Sequence, residues 1–177
     1  MSRFSFQFVS PLLLFFLLIL DGQLTHILTS LSNGSWTPVS HLFLLFLLYT
    51  VTQHRPSYLL ILTGFLGVVY DSYYLGIYGI ATLLFPLIAL FVYNIESTIF
   101  TNRWTRFFSL IIIVTAFEVF STVITAAFGL SNLDFVNFVV YQLAPTLLIN
   151  SVLALPLQIP LEAFYKLNKK QLLHKKK

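Results

Sequence analysis

The sequence predicts an all-α integral membrane protein with six transmembrane helices and both termini in the cytoplasm. Three observations support this fold class. Of 177 residues, 58% are hydrophobic and only 9% are charged, whereas soluble domains are roughly 25% charged. Long apolar runs recur along the chain, separated by short polar breaks. All ten Lys and Arg residues fall on one side of the membrane if the chain crosses six times.

The composition excludes several classes of protein. Six Asp and Glu and ten Lys and Arg residues are too few to cover a water-facing surface, so lipid must surround most of the chain. The absence of cysteine excludes disulfide frameworks and thiolate metal sites. Six spans of about 20 residues leave room only for short loops. We therefore expect one transmembrane domain, residues 1–165, followed by a basic cytoplasmic tail, residues 166–177.

The apolar runs define the spans, and each is predicted to be a helix because lipid offers no partner to unpaired backbone groups. Span two is short: its 14 residues would extend about 21 Å, against a hydrocarbon core of about 30 Å. It either dips into the membrane and returns, or is extended by residues 36–38. Span six is longer than one crossing and contains three prolines. The predicted spans are about 8–28, 39–52, 58–73, 77–95, 107–128 and 136–163.

The distribution of charge fixes the number of crossings and their direction. With six crossings, Arg3, Arg55, Arg103, Arg106 and the tail lie on the side of the termini. The opposite loops, about 29–38, 74–76 and 129–135, contain no Lys or Arg. Cytoplasmic loops carry the excess of basic residues in membrane proteins, so the termini are predicted to be cytoplasmic. Five crossings would break this pattern.

Of the six acidic residues, Glu96 and Glu162 lie with the basic residues and Asp134 lies in an outer loop, which leaves Asp21, Asp71 and Glu118 within the spans. An ionisable residue at the bilayer centre costs about 2.5–3.5 kcal/mol on insertion scales, so each is a candidate for a specific role. Asp21 is in the outer half of span one. It is either a water-accessible carboxylate at the outer interface or a functional group.

Two polar stripes are predicted on spans five and six. Their members recur at helical spacing and therefore share one face of each helix, which must point into the bundle rather than towards lipid. The stripes either hydrogen-bond to each other, form a solute site or contact a partner. They consist of Thr115, Glu118, Thr122 and Thr125 in span five, and Gln142, Thr146 and Asn150 in span six.

A glycine pattern marks the end of span three and the turn into span four. Gly64, Gly67 and Asp71 share one helical face, so another helix can approach closely there and the carboxylate ends on the same seam. Gly76 and Gly79 bracket the turn. The turn must be tight, and glycine suits it because glycine accepts positive φ.

This turn resembles that of the rod shape-determining protein MreD family, in which Gly-x-x-x-Asp is followed by Leu-Gly-x-x-Gly. The matching residues are Gly67, Asp71, Leu75, Gly76 and Gly79. The resemblance implies a non-enzymatic component of the bacterial cell-elongation machinery in the cytoplasmic membrane. Such a protein would bind and position MreC, act indirectly with RodA and a class B penicillin-binding protein, and so support peptidoglycan synthesis and cell shape.

The resemblance also implies a compact bundle similar to the substrate-binding subunits (S components) of ECF-type transporters. No cofactor is expected, the sequence has no metal-ligand spacing, and a homodimer stays open. Nucleic acid is not implied either, because a basic patch beside a membrane span already has a sufficient explanation. The basic tail is expected to attract anionic lipids. Under this first hypothesis, MreC docks on the Gly64, Gly67 and Asp71 face and on the outer turn, residues 72–79.

A second hypothesis makes the chain the substrate-binding subunit of an ECF-type transporter. Asp21, Glu118 and Asn150 would then line an outward-opening pocket. The bulky Leu, Ile and Phe residues of span one count against this, because the transporter subunits dock their partner through small residues there.

The sequence does not indicate an enzyme. Intramembrane aspartyl proteases need two aspartate motifs, and Asp71 matches only one of them. Asp21-Gly22 resembles the start of a CDP-alcohol phosphotransferase signature, but the rest of that signature is absent. His41 and His54 fall at predicted span boundaries, so no Ser–His pair is expected at membrane depth.

Overall fold

The computed structural model describes residues 3–130 and 134–165. Within these ranges it contains six helical segments and no β-strand, which confirms the predicted all-α class. The predicted tail, residues 166–177, lies outside the described residues. The helices are α1 (Arg3–Leu31), α2 (Leu42–Thr50, continued by a 3-10 turn, Val51–Gln53), α3 (Pro56–Tyr70, continued by a π turn, Asp71–Leu75), α4 (Ile80–Ile99), α5 (Arg103–Ala127) and α6 (Phe135–Phe164, with a π segment, Phe138–Leu143).

Four of these helices are long and apolar enough to cross a membrane: α1 from Val9 onwards, α4, α5 and α6. Their outward faces carry large apolar side chains, including Leu12 (72% exposed), Ile112 (64%) and Leu148 (62%). Such faces suit contact with lipid rather than water. The length and composition of these helices are those of a membrane protein.

Local sequence signals explain where the helices begin. Pro56 occupies the first turn of α3, where its missing N–H removes no intrahelical bond. The Asn102 side chain accepts a hydrogen bond from the Thr105 backbone N–H (2.7 Å) at the start of α5. At the start of α6, the Asp134 side chain accepts hydrogen bonds from the backbone N–H groups of Val136 and Asn137. These short polar residues satisfy orphan N–H groups of the first helical turn.

The second span is shorter than predicted. The prediction of a helix from residue 39 is wrong: residues 36–41 are not helical, and α2 begins at Leu42. Pro38, Ser40 and His41 in this segment are nevertheless buried. The reason is that side chains of neighbouring helices bind the backbone of residues 39–43 in place of helical hydrogen bonds.

α2 lies in the centre of the bundle. Leu44, Leu47, Leu48 and Tyr49 are at most 1% exposed, and α2 contacts α1, α4, α5 and α6. A helix that is hydrophobic on all sides must be surrounded by protein or lipid. These four helices therefore surround a central half-length helix, and α3 packs chiefly against α4.

The described arginines collect at one end of the bundle, which we call the basic end. Arg103 and Arg106 both bond to Glu162 near the end of α6. Close by, the Tyr165 hydroxyl contacts Thr50 near the end of α2 (2.8 Å). Arg55 lies in the short connection after α2. This grouping agrees with the one-sided charge pattern of the sequence.

Candidate functional site

The extended segment of residues 36–41 is the backbone of a buried polar cluster. Asn150 of α6 accepts a hydrogen bond from the His41 backbone N–H (2.8 Å) and donates one to the Val39 carbonyl (2.8 Å). The Thr146 hydroxyl accepts from the Val39 N–H (3.0 Å). Non-helical backbone at membrane depth is tolerated only where protein or water satisfies it. Here α6 supplies the partners.

Asp21 of α1 caps the buried end of α2. Its Oδ1 accepts hydrogen bonds from the Leu42 N–H (2.7 Å) and the Ser40 hydroxyl (2.6 Å), and its Oδ2 accepts from the Phe43 N–H (2.7 Å). Thr25, one turn later, accepts from the Ser40 N–H (3.0 Å). A carboxylate is favoured at a helix N-terminus by the unpaired N–H groups and the helix dipole.

The burial of Asp21 decides between its two sequence interpretations. The residue is 4% exposed, so the interpretation as a water-accessible carboxylate at the outer interface is wrong. The sequence did not show that α2 begins inside the bundle. The unpaired N–H groups at this helix end bind the Asp21 carboxylate and stabilise it in the interior.

Glu118 of α5 bridges the extended segment and α6. Its Oε1 lies 2.6 Å from His41 Nε2, and its Oε2 accepts a hydrogen bond from the Gln142 side chain (2.8 Å). Glu118 is 4% exposed and His41 is 3% exposed. Of the alternatives that the sequence left open for the two stripes, a hydrogen bond between them is present at Glu118 and Gln142.

The remaining stripe residues behave differently. Thr115 and Thr125 donate to carbonyls of their own helix, a common use of threonine in helices. Thr146 and Asn150 bind the extended segment rather than α5. The two stripes thus converge on residues 39–41 and only partly on each other.

The three buried polar candidates from the sequence, Asp21, Glu118 and Asn150, therefore belong to a single cluster. Asn150 is 3% exposed, and the polar atoms of all three are bonded within the protein. In the part of the chain that the structure describes, all three side chains are buried and bonded to other protein groups, and the transporter hypothesis has no support. Sequence reasoning missed His41, although Pro38 and the short second span were signals of an irregular segment beside it.

Asp71 caps α4 across the α3–α4 turn. Its Oδ1 accepts from the Ala81 N–H (2.8 Å), and its Oδ2 accepts from the Gly79 N–H (2.8 Å), the Thr82 N–H (3.0 Å) and the Thr82 hydroxyl (2.7 Å). Its own carbonyl accepts from the Gly76 N–H (2.8 Å). Asp71 is 0% exposed. The carboxylate thus accepts hydrogen bonds from backbone N–H groups of the first turn of α4, which have no partner within the helix.

The glycines of α3 differ in how closely α4 approaches them. A Cβ atom on Gly67 would lie 2.5 Å from Thr82 Cα and 2.6 Å from the Ala81 carbonyl oxygen, so only glycine fits there. At Gly64 the nearest atom, Pro86 Cγ, would be 3.9 Å away, an ordinary contact. The close approach expected from the sequence is present, and the approaching helix is the chain's own α4.

The turn itself is exposed and depends on two glycines. Gly76 (φ +63°) and Gly79 (φ +115°) adopt the left-handed conformation, which costs other residues energy. Tyr73 is 58% exposed and Tyr78 is 72% exposed. Two aromatic side chains therefore project from a turn whose backbone is held from beneath.

Tyr74 ties the same turn to α1, a contact that the sequence did not predict. Its hydroxyl donates to the Leu18 carbonyl (2.5 Å). A Cβ atom on Gly22 would lie 2.2 Å from the Tyr74 oxygen, so glycine at 22 provides space for the ring. The contact between Gly22 and Tyr74 could not be predicted from spacing, because 52 positions separate the two residues.

A Ser–His contact is also present, although none was expected at membrane depth. Ser10 Oγ lies 2.7 Å from His54 Nε2, and both residues are buried. The contact lies at the basic end, where span two finishes, and joins the start of α1 to the connection between α2 and α3. The sequence could not pair these residues because they are 44 positions apart.

These features define a helical membrane protein with a buried polar cluster at the start of a central half-length helix. The family model for the rod shape-determining protein MreD matches residues 2–168. The cell shape-determining protein MreD of Streptococcus pneumoniae (strain ATCC BAA-255 / R6) is 33% identical over 158 residues, which cover 87% of this chain and 93% of that protein. The chain belongs to the MreD family.

Family membership confirms the resemblance based on Gly67, Asp71 and the turn glycines, and supports a role in determining rod shape. The family is described by shape determination and not by a catalysed reaction, which fits a non-enzymatic protein. No solved structure matches the chain, so the likeness to ECF-type subunits stays a prediction.

Proposed function

We propose that this protein is a non-enzymatic component of the cell-elongation machinery in the bacterial cytoplasmic membrane. It crosses the membrane six times with both termini in the cytoplasm. It binds and positions MreC, and thereby supports peptidoglycan synthesis by RodA and a class B penicillin-binding protein. Support comes from its family and from the collection of the described arginines at one end of the bundle, because basic residues accumulate on the cytoplasmic side.

The proposed contact for MreC is the outer turn, residues 72–79. The observation that supports it most is the buried carboxylate of Asp71, which holds this turn rigid while Tyr73 and Tyr78 remain exposed. Exposed aromatic residues on a fixed backbone are typical anchors of protein interfaces. Rigidity also lowers the entropy cost of binding.

Gly67 and Asp71 contribute to this contact indirectly. Their face is covered by α4, so a partner can reach them only by separating the helices. In this proposal they position the outer turn, whereas the partner touches the aromatic side chains. The same division applies to Gly76 and Gly79, whose conformations give the turn its shape, and Gly64 lies outside the contact.

Co-purification of the tagged full-length chain with MreC from detergent-solubilised membranes tests this site. We expect the Tyr73→Ala/Tyr78→Ala double variant to recover much less MreC than the wild type. Tyr141→Ala is the matched control, since Tyr141 is also an exposed tyrosine (47%) outside the turn. Full recovery of MreC by the well-inserted double variant would refute the docking site.

Depletion of the protein, with imaging of cell shape and of newly made wall, tests the broader role. We expect depleted cells to lose rod or elongated shape and their normal pattern of wall synthesis. Cells that keep both would contradict the role in elongation, whatever the MreC contact.

A further inference from the structure

A lipid-facing groove runs between α1 and α3 in the half of the bundle nearest the basic end. Its volume is about 550 Å³. Apart from the Tyr58 hydroxyl, the side chains named here offer only apolar groups. They are Pro11, Leu12 and Phe15 of α1, and Tyr58, Leu62 and Phe65 of α3.

The two helices are joined at both ends of this groove. At the basic end, Ser10 at the start of α1 bonds to His54 just before α3 (2.7 Å). Further along both helices, Tyr74 donates to the Leu18 carbonyl and packs on Gly22. The groove is therefore a bounded recess of fixed length.

The length of the recess matches one leaflet of the membrane. Its lining residues on α3 run from Tyr58 to Leu66, which corresponds to about 12 Å along the helix axis. Half of the hydrocarbon core is about 15 Å thick. An acyl chain from one leaflet fits this depth. A partner's membrane-spanning helix would need a groove that continues beyond Tyr74.

A basic residue lies one helical turn before the first α3 residue that lines the recess, Tyr58. Arg55 immediately precedes α3 and is exposed. No described carboxylate forms an ion pair with it, whereas Arg103 and Arg106 share Glu162. Anionic lipids attract such residues by about 1 kcal/mol each near the membrane surface.

We propose that this recess binds an anionic phospholipid, with an acyl chain between α1 and α3 and its headgroup on Arg55. This lipid site goes beyond the role in cell elongation. Only the assignment of the lipid to the cytoplasmic leaflet rests on the proposed topology. The site is also distinct from any attraction of lipids to the tail, because residues 11–66 form it.

Photo-crosslinking in nanodiscs tests the site with the full-length protein. The probes are phosphatidylglycerol and phosphatidylcholine, each with a photoreactive acyl chain, and adducts are located by peptide mass spectrometry. We expect phosphatidylglycerol to label the segments 11–15 and 58–66 more than the exposed face of α6, and more than phosphatidylcholine does. Equal labelling of the recess and of α6 would overturn the proposal without the use of any variant.

Two substitutions separate the headgroup from the acyl chain. Arg55→Gln should lower the phosphatidylglycerol yield roughly five-fold, the equivalent of about 1 kcal/mol, and Arg55→Lys should restore it. Leu12→Trp should fill the recess and reduce labelling, whereas Leu148→Trp, at a similarly exposed leucine of α6, should not. Unchanged labelling in both Arg55→Gln and Leu12→Trp would refute the site.

A different occupant would also be revealed. With a photoreactive amino acid at position 65 in living cells, the proposal predicts lipid adducts. A protein adduct formed in place of lipid would overturn the proposal in favour of a partner helix. Neither outcome depends on MreC recovery, so this test and the test of the proposed function fail independently.

Discussion

The buried carboxylate of Asp71 connects α3 to the start of α4. It accepts hydrogen bonds from the backbone N–H groups of Gly79, Ala81 and Thr82 at the start of α4, and a fourth from the Thr82 hydroxyl. Loss of a helix cap costs about 0.5–2 kcal/mol, and each buried group left unpaired costs about 1–3 kcal/mol. The stability of the turn therefore depends strongly on this residue.

We expect Asp71→Ala to lower the free energy of unfolding by on the order of 3 kcal/mol, measured by denaturant titration in micelles. Asp134→Ala is the matched control, because Asp134 also caps a helix but is exposed, and its loss should cost about 1 kcal/mol or less. Equal losses in the free energy of unfolding would show that the buried hydrogen bonds of Asp71 stabilise the protein no more than those of an exposed helix cap.

Gly67 and Gly64 provide a comparison within one helix. In Gly67→Ala the new methyl group would overlap the α4 backbone at 2.5 Å, so the helices must separate, at a cost of about 1–3 kcal/mol. In Gly64→Ala the nearest atom is 3.9 Å away, and stability should be unchanged or slightly higher. Thermal unfolding of both variants in the same detergent measures the difference. Comparable melting temperatures would contradict the close approach at Gly67.

The sequence predicted the close helix approach at Gly67 and the position of Asp71 on the same face. Gly67 and Asp71 could be recognised because they lie four positions apart on one helix, so local spacing suffices. His41 could not, because its role depends on Glu118, which is 77 positions away. Pairing over that distance is a property of the folded bundle and leaves no local pattern.

At the scale of elements, α2 and the segment before it depart most from the sequence prediction. Hydropathy showed an apolar run that was too short to cross the membrane. Hydropathy did not show whether the residues before this run are helical, because a helix and a buried non-helical segment can have the same composition. The decisive interactions come from Asp21, Asn150 and Thr146 on other helices.

The absence of native cysteine allows a direct test of this element. We expect a cysteine at Val39 to react slowly with a maleimide in the otherwise wild-type chain. Adding Asn150→Ala removes the partners of His41 N–H and of the residue 39 carbonyl, so the reaction should become several-fold faster. A cysteine at the exposed Ser35 serves as control and should react quickly in both backgrounds. An unchanged rate at position 39 would argue against the role of Asn150.

At the scale of the whole molecule, composition and charge predicted the class of protein and the end at which the arginines meet. They did so because the bilayer imposes these requirements on every membrane protein. Asp21 and Glu118 were candidates from the sequence, but the central half-length helix and the joining of these residues with His41 in one cluster were not predictable. Both depend on which helices become neighbours.

The proposed topology predicts opposite accessibility at the two ends. In spheroplasts, a membrane-impermeant thiol reagent should label a cysteine placed at Ser35 but not one placed at Ser57. Both serines are exposed, so accessibility from each side of the membrane decides the result. Permeabilised cells should label both positions. Labelling of Ser57→Cys from outside would contradict cytoplasmic termini.

Site-specific photo-crosslinking in growing cells tests the proposed MreC contact most directly. A photoreactive amino acid replaces Tyr78 on the outer turn or, as control, Tyr141, and MreC is detected in the crosslinked products. We expect a strong crosslink to MreC from position 78 and little from position 141. A crosslink from position 141 alone, or none from position 78 at normal expression, would contradict docking of MreC on the outer turn.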